Sequence, residues 1–86
     1  MPEISRFYGI VVSMYFGDHP VPHVHVSYSG WRAKLAIDTL AVLKGSIPPR
    51  ALRLAGEWID LHRDDLHENW RLCEQRLAPA RIAPLE

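Results

Sequence analysis

The chain has 86 residues, enough for one small domain with a modest core and too few for a separate regulatory module. Ten basic and ten acidic residues cancel, which excludes strong nucleic-acid binding through overall charge but leaves room for a local basic face. The single cysteine, Cys73, excludes an internal disulfide; with no secretion-type start at Met1-Pro2-Glu3-Ile4 and no apolar run of membrane-spanning length, the expectation is a cytoplasmic protein without a membrane partner.

Strand signals fill the first half and helix signals the second. This order implies an α+β fold: a small antiparallel sheet of three to four strands, then one long or kinked C-terminal helix packed on one face. Phe7 to Phe16 is rich in β-branched and aromatic residues and apolar on both faces over Ile10 to Val12, as expected of a central strand. His23 to Tyr28 alternates, with Val24, Val26 and Tyr28 on one face and His23, His25 and Ser27 on the other. The valine face is expected to be buried. Ser29-Gly30 is a turn signal, and a hairpin there pairs Tyr28 with Trp31, Val26 with Ala33 and Val24 with Leu35. The same register sets His25 opposite Lys34 and Ser27 opposite Arg32, with Cβ atoms ~5 Å apart on the face away from the core. Ala41 to Lys44 is a weaker fourth strand.

Gly45-Ser46-Ile47-Pro48-Pro49 is expected to break the sheet and start a helix, because proline fits the first helical turn. Leu52, Ala55, Trp58, Ile59, His62, Leu66, Trp70, Cys73 and Leu77 then fall at three- and four-residue steps, forming one apolar stripe. A bend is expected near Arg63-Asp64-Asp65. Residues 1–77 thus read as one domain, and residues 78–86, carrying Pro79 and Pro84, as a mobile or partner-bound tail.

Chemistry concentrates at Asp18-His19-Pro20-Val21-Pro22-His23-Val24-His25, where three of the five histidines fall within seven residues. His23 and His25, two apart on a strand, stand ~6.6 Å apart along the backbone, close enough to converge on one ligand. Three readings are open. His19, His23 and His25, with Asp18 as ligand or orienting partner, could hold zinc or another divalent metal. Alternatively His25, beside Lys34, forms part of a surface for phosphate, which needs no cofactor; the ammonium repels a cation and attracts an anion. In the third, the histidines only bond nearby carbonyls while Pro20 and Pro22 shape a turn. His62 lies on the apolar stripe and reads as a core histidine; His67 faces away and reads as solvated. Trp58 and Trp70 read as core, Trp31 and Tyr15 as either core or site, and Cys73 as a buried small hydrophobe.

His23-Val24-His25-Val26-Ser27 resembles the alternating signature of histidine-triad nucleotide hydrolases, but Ser27 stands where the third histidine belongs and the order of elements differs. A broader resemblance runs from Ile4 to about Glu74. Ser5-Arg6-Phe7-Tyr8-Gly9-Ile10, Met14-Tyr15, Asp18-His19, Pro22-His23-Val24-His25, Gly45-Ser46-Ile47-Pro48-Pro49-Arg50, Glu57-Trp58 and Leu61-His62-Arg63-Asp64-Asp65-Leu66 through Asn69-Trp70 resemble, in order, the bacterial domain-of-unknown-function 4160 family. The family pattern marks Phe7, Gly9, Met14, Tyr15, His19, Pro22, His23, His25, Gly45, Trp58, His62 and Trp70. This chain departs from it at Thr39-Leu40-Ala41, where a glycine turn is usual, and at Lys44, where an acidic residue is common. The resemblance implies a component of a two-gene, toxin–antitoxin-type module with a small cognate protein partner. In the toxin-like form, His23 and His25, aided by His19 and Tyr15, act on RNA while Arg6, Arg32 and Lys34 hold phosphate. The alternative is a non-enzymatic, antitoxin-like binding module.

Overall fold

The computed structural model describes residues 2–16 and 21–86. Five strands, β1 (Glu3–Phe7), β2 (Ile10–Ser13), β3 (His23–Tyr28), β4 (Trp31–Ala36) and β5 (Val42–Ser46), precede two helices, α1 (Pro49–Leu61) and α2 (Arg63–Glu74). The strands lie side by side in chain order, and every neighbouring pair is antiparallel. This is the α+β order expected from the sequence, with one strand more in the sheet. No helix among the described residues is long and apolar enough to cross a membrane.

The extra strand comes from a turn inside the segment expected to be one central strand. Tyr8 (φ 50°) and Gly9 (φ 80°) turn the chain, and positive φ at both central residues matches the twist of the flanking strands. Phe7 therefore pairs with Ile10 across a hairpin. Ser29 (φ 46°) and Gly30 (φ 87°) make the second such turn, giving the register Tyr28 to Trp31, Val26 to Ala33 and Val24 to Leu35. All three pairs agree with the sequence reading.

β5 begins and ends later than expected. Gly45 lies within the strand, at φ 77°, and a Cβ there would stand 2.2 Å from the Arg32 carbonyl oxygen. Only glycine lets β5 approach β4 so closely. The sheet ends after Ser46, and Pro49 opens α1 in the first turn, where its missing N–H costs no helical bond. The helical break falls at His62 (φ −121°), just before the acidic run; its N–H donates to the carbonyls of Trp58 and Ile59. Asp64 and Asp65 then occupy the first turn of α2, where the positive helix terminus favours carboxylates.

The apolar stripe of both helices closes one face of the sheet. Val12, Val24, Val26 and Leu35 share a core with Ala55, Trp58, Ile59, Leu66 and Cys73, and the Phe7 ring lies 5.5 Å from that of Trp58. Leu77, expected on the stripe, is exposed, because α2 ends at Glu74. Residues 78–86 form neither helix nor strand, as the prolines imply, yet they are tied to the domain. Asn69 exchanges two 2.8 Å hydrogen bonds with the backbone of Ala80. Trp58 Nε1 donates to the Ala83 carbonyl (2.8 Å), and Ile82 N–H donates to the Ile4 carbonyl (2.8 Å). Arg81 also approaches Glu3 at 3.3 Å; the Glu3 carboxyl is held below its usual range, chiefly by its hydrogen bond from Arg6.

The glycines give a direct test of the close approach. Gly30→Ala meets nothing within 4 Å and is expected to cost about 1 kcal/mol for its left-handed backbone alone. Gly45→Ala is expected to cost about 2 kcal/mol or more, since the backbone itself must move. Urea unfolding of the two variants measures both; equal losses would contradict the packing account.

Candidate functional site

Alternation in the strands decides what the open face of the sheet carries. With Val24 and Val26 committed to the core, His25 and Ser27 project to the other side, and their partners are Lys34 and Arg32, as the hairpin reading expected. The flanking strands extend this pattern. Ser13 of β2 stands opposite His25, and Lys44 of β5 stands opposite Lys34. A single cross-strand row, Ser13, His25, Lys34 and Lys44, thus spans four strands, with Arg32 two residues along β4.

These side chains, with Tyr15 and Ser27, line an open groove of about 420 Å³. Tyr15 meets the His25 ring edge-on at 4.4 Å and 83°. The groove thus combines a half-buried imidazole, hydroxyls and a run of cationic side chains. Like charges directly opposite one another on a sheet destabilise it, and an anion seated among them offsets that repulsion. The arrangement is suited to phosphate or carboxylate.

The structure gives the two neighbouring histidines different surroundings. His23 is only 1% exposed and does not line the groove. It sits opposite Ala36 at the end of the β3–β4 pair, where its ring lies 5.2 Å from that of Trp70 in α2 and 5.2 Å from that of His25. His23 Nδ1 is 2.7 Å from the Val21 carbonyl oxygen, so Nδ1–H donates. Alternation alone puts His23 on the open face with His25, whereas in the structure it packs against Trp70 of α2 and lies outside the groove lining. His23 holds the floor behind His25.

Arg6 also lies elsewhere. It is exposed on β1 and bonds Glu3 at 2.8 Å, outside the groove. His19 and Asp18, the other two residues of the metal reading, lie outside the described residues; among the described residues no group of three or more histidine, cysteine, aspartate or glutamate side chains is placed to hold a metal ion. His62 packs 5.4 Å from Trp58 and 3.9 Å from Asp65. His67 Nε2 meets Asp38 at 2.7 Å, joining α2 to the loop after β4. Cys73 is buried, and burial pushes its thiol up, away from the reactive thiolate. Trp31 is half exposed and lies outside the groove lining.

Sequence reasoning missed Ser13 and Lys44. Lys44 meets Lys34 only because Leu43 is an extra residue in β5, a bulge that shifts the register between Lys34 and Leu35. The alternation of β4 was available as a signal for its partner strand; the bulge was not.

The two histidines are expected to behave oppositely in stability. His23→Ala empties a buried, packed site and is expected to cost about 2–4 kcal/mol. His25→Ala, half-buried in an open groove, is expected to cost less than about 1 kcal/mol. Chemical denaturation of both variants decides the point, and a larger loss at His25 would contradict the assignment of His23 as the supporting histidine.

Comparison with known proteins gives a family and no reaction. No curated protein and no solved structure matches the chain. Residues 9–71 match the family described as Domain of unknown function (DUF4160), a span that runs from the first hairpin turn to the second helix and includes the whole row Ser13, His25, Lys34 and Lys44. The chain belongs to the DUF4160 family.

Proposed function

We propose that the groove holds the phosphodiester backbone of RNA, that His25 carries its acid–base chemistry, and that the protein is the toxin-like member of a two-gene, toxin–antitoxin-type module. The observation that supports this reading is the row His25, Lys34 and Lys44 with Arg32 beside it on one open face. Lysine and arginine hold phosphate as point charge and fork respectively. The net neutrality of the chain leaves this patch as the local source of attraction, so binding rests on few phosphates and falls with salt.

The chemistry follows from what surrounds the imidazole. His25 accepts the proton of a ribose 2′-hydroxyl, and the resulting oxygen forms a bond to the adjacent phosphorus. The bond from phosphorus to the 5′-oxygen breaks, and that oxygen takes a proton from the Tyr15 phenol, which re-equilibrates with water. The products are a 2′,3′-cyclic phosphate and a 5′-hydroxyl. Arg32 and Lys34 stabilise the charge that accumulates on the phosphoryl oxygens. Tyr15, in edge contact with the ring, also holds its orientation.

A fluorescently labelled single-stranded RNA tests both parts. Arg32→Ala and Lys34→Ala are each expected to weaken binding and to lower the salt slope by about 1. His25→Ala is expected to bind comparably but to cleave roughly 100- to 10,000-fold more slowly, and to abolish the growth arrest caused by inducing the wild-type gene alone. Wild-type cleavage by a folded His25→Ala protein overturns the mechanism; absence of RNA binding by the wild type overturns the ligand.

A further inference from the structure

The two edges of the sheet are unlike. At β1 the C-terminal segment runs alongside, with Ile82 N–H on the Ile4 carbonyl and Arg81 at the Glu3 carboxylate. At β5 every residue is exposed, including Val42 at 45% and Leu43 at 42%. Its hydrogen-bonded neighbour is β4 on one side only, and among the described residues no segment bonds to its outer side. An exposed strand edge is a template for another strand.

Charge determines which strand fits. If a second copy of this chain added by a two-fold pairing centred on β5, Lys44 would face Lys44, extending the line already formed by Lys34 and Lys44. Such like-charge opposition is destabilising. A lysine and a bulge are also devices by which sheet edges resist indiscriminate pairing, and β5 has both, at Lys44 and Leu43. A strand with a carboxylate opposite Lys44 converts the repulsion into attraction, about 5 Å away across the new pair and about 10 Å from Lys34. Val42 projects to the other side, in register with Leu35, so the partner's intervening residues are apolar.

We propose that β5 receives an extended segment of a partner protein in which acidic and apolar residues alternate, added as a sixth strand whose carboxylates lie along the cationic groove. The regulatory consequence rests on the RNA reading above: the segment's carboxylates compete with phosphate for Lys44 and its neighbours Lys34 and Arg32, so partner binding silences the groove. The edge itself is defined without that reading, by β5 and its charge.

The test uses isotope-labelled full-length protein and a capped seven-residue peptide alternating glutamate and valine, with a lysine–valine peptide of the same pattern as control. The glutamate peptide is expected to shift the amide resonances of Val42 to Ser46 and facing β4 residues saturably, with a dissociation constant on the order of 1 mM or tighter, and to displace labelled RNA. Lys44→Glu is expected to reverse the preference between the peptides by at least tenfold. No saturable shift at β5, equal binding of both peptides, an unchanged preference in Lys44→Glu, or a β5-paired dimer of the free protein each overturns the proposal. Peptide binding at β5 without any RNA binding supports the docking edge and removes the RNA reading; RNA binding that the peptide neither displaces nor accompanies with shifts at β5 leaves the RNA reading and removes the docking edge.

Discussion

A strand that slips by one residue against its neighbour exchanges its two faces, and the β3–β4 hairpin is where this protein can least tolerate such an exchange. In the observed register Val24, Val26, Ala33 and Leu35 lie in the core while His25, Ser27, Arg32 and Lys34 lie on the opposite face. A one-residue slip would drive a lysine and an arginine toward Trp58 and Ile59, with desolvation costs of several kcal/mol per charge. Ser29 and Gly30, both at positive φ, secure the alignment from the turn, and the apolar pairs secure it from the core. Everything polar on the outer face follows from this one alignment: β2 adds Ser13 to it and β5 adds Lys44.

The helices do more than cover the apolar face. Their break at His62 lets α2 continue the stripe in a second direction, and the His67–Asp38 bond joins it to the loop after β4. Trp70 thereby reaches His23, whose ring touches that of His25. A packed path therefore runs from the core of α2 through His23 to the imidazole in the groove. Close packing transmits small displacements, so the orientation of His25 depends on a residue that no ligand in the groove would touch.

The parts of the fold legible in the sequence were those set by local rules. Alternation and the Ser29-Gly30 turn gave the central hairpin with its pairs, and the three- and four-residue spacing gave both helices, with a break one residue from its true position. Tyr8-Gly9 was illegible because tyrosine rarely occupies a left-handed position and because the turn is embedded in an apolar run that reads as continuous strand. Gly45 read as a breaker because its role, a close approach to the Arg32 carbonyl, exists only once β4 is beside it. The contact of His23 with Trp70 was likewise set by α2 and not by the alternation of β3. Of the candidate site residues offered by the sequence, His25, Tyr15, Arg32 and Lys34 line one groove; the place of Lys44 beside them was hidden by a bulge, and Arg6 lies instead with Glu3 at the far edge.

The groove and the exposed edge meet at Lys44, so the two proposed binding events would share one charge. Like charges on adjacent strands disfavour one another, and an anion that binds the folded chain but not the unfolded one would stabilise it, by an amount that grows with the logarithm of its concentration above the dissociation constant. Phosphate oxygens approaching from above the sheet and carboxylates arriving along its edge, as proposed, would draw on the same cationic row. Two such ligands could not both neutralise Lys44, so occupancy by one would lower the affinity for the other, and by linkage the effect would be equal in both directions. No conformational change is needed for that coupling. Under the two proposals, a five-stranded sheet with its cations aligned toward one edge would be sufficient to make binding at the edge a control on binding in the groove.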